Sequence, residues 1–184
     1  MSHDGSNCFV LTGGPGSGKS TLIEALAAAG FRTAPEAGRA IIRDQVAIAG
    51  RALPWVDPSL FAEMMLARDL QSYADQAGHN GSVFFDRGIP DVIGYLTLVG
   101  LPVPDHMRKA AALCRYNARV FVCPPWPEIF TQDRERRQTP EEAERTYAAM
   151  MKTYAGCGYR PMEIPRTAIA GRRQFVLDAV SRLT

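Results

Sequence analysis

The sequence is short of cysteine, histidine and lysine, and each shortage narrows what the chain can be. There are four cysteines, Cys8, Cys114, Cys123 and Cys157, and three histidines, His3, His79 and His106. No Cys-x-x-Cys occurs and no spacing resembles a metal set, which leaves buried free thiols in a reducing compartment as the expectation. No apolar run is long enough to cross a bilayer, and the first seven residues, MSHDGSN, lack the apolar segment of a signal peptide. The expected setting is the cytoplasm, with residues 1–7 a frayed tail. Lysine occurs three times against eighteen arginines, and the net charge is only +2. That balance is too even to point to a nucleic acid or a membrane as partner. The arginines suit bidentate contacts to phosphate, and a solvated surface would account for them equally well. Repeats, low-complexity stretches and an interdomain linker are missing too, so residues 8–184 are read as one domain.

What is present is concentrated between Asn7 and Ala28, NCFVLTGGPGSGKSTLIEALAA. The apolar run Cys8 to Leu11 predicts a buried strand, and Leu22, Ile23, Leu26 and Ala29 recur at helical spacing. Between them stands a complete G-x-x-x-x-G-K-[ST], formed by Gly13, Gly14, Pro15, Gly16, Ser17, Gly18, Lys19 and Ser20. Strand, glycine loop and helix thus follow in the order that a phosphate cradle needs. Backbone N–H groups approach a polyphosphate closely only where side chains are missing and positive φ is cheap. The helix opening near Lys19 adds its dipole and free N–H groups. Lys19 is expected to reach the β/γ-phosphates of a nucleotide, Ser20 to offer its hydroxyl to Mg²⁺, and Thr21 to stabilise the helix start or touch the α-phosphate. No Asn/Thr-Lys-x-Asp occurs, which argues against a GTPase.

Beyond this motif the chain alternates strands and helices. Phe31–Thr33 predicts a second strand. Pro35 to Arg39 opens a helix towards Ala49, with Ile41, Ile42 and Val46 facing the core. Glu36, Arg39 and Arg43 share a face of it, as a site or as a solvated surface. Ser59 to Ala77 predicts a long helix with Leu60, Met64, Ala67 and Leu70 on its inner side. Ser82 to Phe85 predicts a buried strand ending in Asp86-Arg87-Gly88. An acid at that end of a strand beside the glycine loop is placed to position Mg²⁺ through water, so Asp86 is the candidate metal group. Arg87 is the candidate for a substrate anion or the transferring phosphoryl group. Pro90 starts another helix, in which Asp91 could cap the N-terminus and Tyr95 could be core. Asp105 to Tyr116 predicts a helix, and Ala118 to Cys123 a further strand. Three arginines, Arg134, Arg136 and Arg137, then lie in a segment that suits either a cation-bearing flap or an ordinary charged helix end. Thr139-Pro140-Glu141-Glu142 predicts a helix start, followed by a strand over Tyr159 to Ile164 and a closing helix from Thr167 to Leu183.

This pattern implies an α/β fold with a mainly parallel sheet and right-handed crossovers. The chain resembles the small P-loop kinases of the nucleoside and nucleotide kinase group. More narrowly, it is similar to the AAA_28-like ATPase domain family related to the nicotinamide-riboside kinase domain of bifunctional NAD-biosynthesis regulators. The residues that carry the resemblance are TGGPGSGKST (Thr12 to Thr21), PEAGR (Pro35 to Arg39), FDRGIPD (Phe85 to Asp91) with Tyr95, and the D-x-x-R of Asp133 and Arg136. It implies a P-loop NTPase sandwich of three layers, α/β/α, with a five-stranded sheet, ATP and Mg²⁺ on the loop, and a small-molecule acceptor in the neighbouring cleft. It also implies that Glu36 or Asp86 contacts the acceptor hydroxyl and that Arg39 and Arg87 hold the substrate, with Asp91 and Tyr95 from the matched stretch alongside. A lid over about 125–140 would bring Arg134 to the nucleotide and Arg136 to the reacting phosphate. Between Trp126 and Asp133 the chain is longer than the riboside kinases' W-x-x-D.

The expected reaction is Mg²⁺-dependent transfer of the ATP γ-phosphate to a hydroxyl of a small nucleoside- or riboside-like acceptor. Positioning and charge neutralisation carry most of such a reaction. The alternative is a nucleotide-dependent regulatory ATPase that binds a protein partner and hydrolyses slowly.

Overall fold

The computed structural model describes residues 5–129 and 139–182. Arg134, Arg136 and Arg137, together with Asp133, lie outside the described residues. The elements are β1 (Cys8–Gly13), α1 (Lys19–Ala28), β2 (Arg32–Ala34), α2 (Ala37–Ala47), α3 (Pro58–Ala74), β3 (Val83–Asp86), α4 (Ile89–Leu98), α5 (Asp105–Leu113), β4 (Arg119–Cys123), α6 (Pro140–Gly156), β5 (Arg160–Glu163) and α7 (Ile169–Ser181). A single 3₁₀ turn occupies Pro127–Ile129.

All five strands run parallel in the order β2-β3-β1-β4-β5. A parallel sheet is covered on both faces, so its strands are apolar throughout rather than alternating. In β1 and β3 every residue is buried. Successive side chains leave a strand on opposite faces, and here they feed two separate cores. Val10, Phe85, Val120 and Val122 meet Leu66, Ile93, Leu96, Met107 and Tyr154 from α3, α4, α5 and α6. Phe9, Leu11, Phe84 and Phe121 meet Leu22, Ile23, Leu26, Val176 and Ala179 from α1 and α7. The expected α/β/α sandwich follows. The chain leaves β1 for β2 beyond β3 and leaves β3 for β4 across β1, so the crevice at the carboxyl ends of β1 and β3 is where such a sheet gathers ligands. Leu11 pairs in register with Asp86, which puts the end of β3 beside the loop that follows β1.

The expected helix starts are present where side chains can cap them. Asp57 accepts from the Leu60 N–H at 3.0 Å ahead of Pro58. Thr139 and Glu142 cap each other's backbone N–H groups at 3.2 and 2.7 Å ahead of Pro140.

Two apolar faces differ from expectation. Val46 is 58% exposed, because the last turn of α2 extends past the elements that cover Ile41. On α3 the buried residues are Phe61, Ala62, Leu66, Asp69 and Tyr73, while Leu60 and Ala67 face solvent. An acid stands in the buried stripe, so a count of apolar residues alone rotates the face by about one position. Helix α5 also stops at Leu113 instead of Tyr116. The chain bends there to bury the Tyr116 ring, whose hydroxyl accepts from the Ile89 N–H at 3.3 Å. All four cysteines are free thiols, with Cys8 and Cys123 buried and Cys114 and Cys157 half-buried.

Candidate functional site

The loop from Gly13 to Gly18 folds back at the carboxyl end of β1. Gly18 adopts φ +71°, a left-handed conformation that glycine takes without penalty, and a Cβ there would stand 2.5 Å from Arg172 Nη1. Gly14 is fixed by close approach: a Cβ would collide with the carbonyl of Ala143, at the start of α6. The Ser17 hydroxyl donates to the Gly14 carbonyl at 2.7 Å and closes the loop on itself. Ser20 and Thr21 are exposed on the first turn of α1.

Lys19, the first residue of α1, is 6% exposed, and its ammonium donates to Asp86 Oδ1. It also lies 3.8 Å from Glu36 Oε2. Glu36 precedes α2 in extended conformation, which turns its side chain inwards to 7% exposure. It is shared between Arg39 Nε at 3.4 Å and Arg87 Nε at 3.3 Å. Thus Lys19, Glu36, Asp86 and Arg87 form one cluster, with Arg39 at its rim. Three buried carboxylates, counting Asp91, are balanced by three cations, as burial of charge demands.

Arg87 is the centre of this arrangement. It is a non-glycine residue at φ +71°, a conformation that costs about 1–2 kcal/mol. That backbone turns its guanidinium under the loop, where Nη1 donates to Asp91 Oδ1 and Nη2 to the Gly13 carbonyl, both at 3.0 Å. Burial opposes its charge, yet Glu36, Asp91 and Asp86 outweigh that and hold it protonated above the usual arginine range.

Asp91 is 6% exposed and receives four donors. Thr12 Oγ1 and Arg87 bond to Oδ1, and Tyr154 OH (2.6 Å) and the Gly88 N–H (3.0 Å) bond to Oδ2. It therefore caps α4 and anchors Arg87. Burial, then Asp91 itself, push the Tyr154 hydroxyl well up, so it stays a donor.

A cavity of about 460 Å³ opens beside Glu36, Arg87 and Asp91. Trp55, Phe61, Met65 and Tyr95 form one wall, and Glu142, Arg145, Thr146 and Met150 of α6 line it as well. Phe61 and Tyr95 pack edge to face at 5.5 Å. Burial raises the Tyr95 hydroxyl to about 12, and its oxygen is buried without a hydrogen-bond partner among the described residues.

Sequence reasoning missed four contributors. Arg172 of α7 reaches the back of the loop, where it donates to the carbonyls of Ser17 at 3.0 Å and Gly18 at 3.3 Å. Asp69 lies inside α3, and burial followed by the Asp91 charge raises its carboxyl well above 3.8. Arg145 and Thr146 are on the cavity wall. None has a local signal: each is a single polar residue in a helix whose direction only the fold determines.

Oxygen donors fit a hard cation here. The Ser20 hydroxyl is exposed at the loop, and Asp86 ends the adjacent strand. Among the described residues no group of three or more His, Cys, Asp or Glu side chains could hold a metal ion. A magnesium ion bound at the loop would therefore take most of its ligands from phosphate and water.

Several solved structures share this fold. The structure of NadR protein in complex with NR matches with a TM-score of 0.72 at 22% identity, covering 97% of this chain and 51% of that one. This chain thus spans about half the length of NadR. Deoxyadenosine kinase from M. mycoides, with products dCMP and a flexible dCDP bound, gives 0.65 at 12% identity, covering 96% of this chain and 100% of that one. Shikimate kinase from Acinetobacter baumannii in complex with shikimate gives 0.53 at 15% identity, covering 96% and 94%. A comparison with curated protein sequences finds no match. The fold is that of a P-loop kinase of the nucleoside and nucleotide group. Residues 8–172 match AAA_28, described as an AAA domain, and the chain belongs to that family.

Proposed function

We infer that this chain transfers the γ-phosphoryl group of ATP, with Mg²⁺, to a hydroxyl of a small nucleoside- or riboside-like acceptor. The observation that carries the reading is Glu36. One carboxylate both faces the loop lysine and lines the aromatic cavity, so it spans nucleotide and acceptor sides. Asp86 does not line that cavity and is bound to Lys19. Glu36 is accordingly assigned to the acceptor hydroxyl, which it orients and whose proton it takes. Asp86, with Ser20, is assigned to the metal. Bound Mg²⁺ would neutralise charge on the phosphates.

Loop residues Gly13 to Thr21 hold the phosphates through backbone N–H groups, and Lys19 moves from Asp86 to the β/γ-oxygens. Arg87 and Arg39 hold the acceptor side against Glu36. Asp91 acts on substrate through Arg87, and Tyr95 offers its unpaired hydroxyl to an acceptor polar group. Arg134 and Arg136 are assigned to a closing lid that excludes water.

The test is ADP formation measured with nucleosides, ribosides and small polyols in turn. Stimulation of about tenfold or more over the acceptor-free rate, with phosphorylated acceptor as product, supports the reading. Equal rates with every small molecule overturn it, and stimulation by a protein alone supports the regulatory ATPase instead.

A further inference from the structure

The guanidinium of Arg172 is placed against the usual rules of stability. It stands in the first turn of α7, where the helix dipole disfavours a cation. It is 3% exposed, and among the described residues it has no carboxylate partner. Its Nε has no hydrogen-bond partner among the described residues. What it does touch is specific: the carbonyls of Ser17 and Gly18 on the back of the loop, and the ring of Trp126, 5.5 Å from Cζ. A buried cation is costly without a counter-charge, and among the described residues only neutral groups bond to this one.

We propose that Arg172 is a positioning residue for the polyphosphate of the bound nucleotide. Its fork holds the carbonyls of Ser17 and Gly18 towards the rear, which leaves the amides of the loop facing forward. Its charge, shielded from water by Trp126 and α7, adds to the positive potential at the amino end of α1. The missing counter-ion is then the nucleotide's phosphate chain. Gly18 fits the same account, since any side chain there would displace the guanidinium. The inference rests on the phosphoryl-transfer reading above, because it takes the loop's ligand to be a nucleotide.

The test compares full-length parent, Arg172→Met and Arg172→Lys by calorimetry with MgATP and with inorganic tripolyphosphate, which has no base. Arg172→Met is expected to weaken both ligands alike, by about tenfold or more. Arg172→Lys, which keeps the charge but not the fork, is expected to recover part of the loss. Melting of the ligand-free proteins is read alongside, and Arg172→Met should lose most of the thermal shift given by MgATP. Parent-like affinity in Arg172→Met overturns the proposal. So does a loss for MgATP without a loss for tripolyphosphate, which would place Arg172 at the base. If Arg172→Met does not fold, an Arg172→Lys protein that folds and binds both ligands as tightly as the parent overturns it equally. A parent that binds neither ligand removes the phosphoryl-transfer reading itself, whereas an indifferent variant of a binding parent removes only the role of Arg172.

Discussion

Lys19 and Asp86 form a buried ion pair that joins the first residue of α1 to the last residue of β3, with side chains 6% and 9% exposed. The group assigned to phosphate is thus held, without ligand, by the group assigned to the metal. Each cation–carboxylate contact in the cluster keeps the other charges tolerable, and on the proposed function a polyphosphate and its counter-ion would take their places. Arg87 and Asp91 stay paired behind them, so the exchange involves the front of the cluster and leaves its support in place.

Replacing Lys19 by Ala removes the cation assigned above to stabilising charge on the transferred group. Turnover with ATP saturating is expected to fall by about 100-fold or more. Steady-state ADP formation measures it, and parent-like turnover would dissociate Lys19 from catalysis.

Asp86→Asn keeps shape but loses the charge assigned above to positioning the metal. Mg²⁺-dependent turnover is expected to drop by at least about tenfold. Stability is expected to fall as well, because the buried Lys19 then keeps as carboxylate partner only Glu36 at 3.8 Å among the described residues. A magnesium titration beside a thermal melt separates the two effects. Unaltered turnover would remove Asp86 from the mechanism.

Arg87 combines a strained backbone with a structural guanidinium, and two substitutions divide these. Arg87→Ala loses the contacts to Glu36, Asp91 and the Gly13 carbonyl while keeping the left-handed backbone. A loss of about 3 kcal/mol is expected, the usual size for a broken buried pair. Arg87→Gly loses the same contacts but releases the strain, so it should be more stable than Arg87→Ala by about 1 kcal/mol. Urea unfolding of both checks the order. Equal stabilities would mean that the positive φ carries no cost.

Much of this was legible in the chain itself, for definable reasons. The loop, its helix and the acid at the end of β3 lie in contiguous stretches whose spacing is dictated by local geometry. Glu36 and Arg39 stood out only by resemblance to a family, since three charges on one helix face describe any solvated surface. The sheet order could be expected, but not which helical residues would arrive behind the loop. Arg172 is separated from Gly18 by almost the whole chain, and only the packing of α7 against α1 brings them together. Asp69 misled the reading of α3 because a buried acid in an apolar stripe looks like a solvent-facing residue. The arginines of the lid segment lie outside the described residues, and their assignment stands on sequence alone.

Asp69 also gives a pH test of the electrostatics around the site. It is 9% exposed on α3, and its carboxyl is raised first by burial and then by Asp91, with Arg87 opposing and Glu36 reinforcing the rise. Tyr116 senses the same charge from the chain beyond α5. In the unfolded chain Asp69 loses its proton near the ordinary value of 3.8, while the folded chain keeps it to higher pH. The folded state therefore binds the proton more tightly. The stability from this group is full below the ordinary value and is lost as pH rises towards the raised one. Asp69→Asn cannot ionise, so it escapes that loss. Its melting temperature relative to the parent should rise between pH 4 and pH 8, with the largest advantage at the alkaline end. Taking the difference between variant and parent cancels the titration of the other groups. A difference that stays constant with pH would show that Asp69 titrates as an ordinary carboxyl. A variant less stable at every pH would show that the charge is needed where it stands, opposite Arg87.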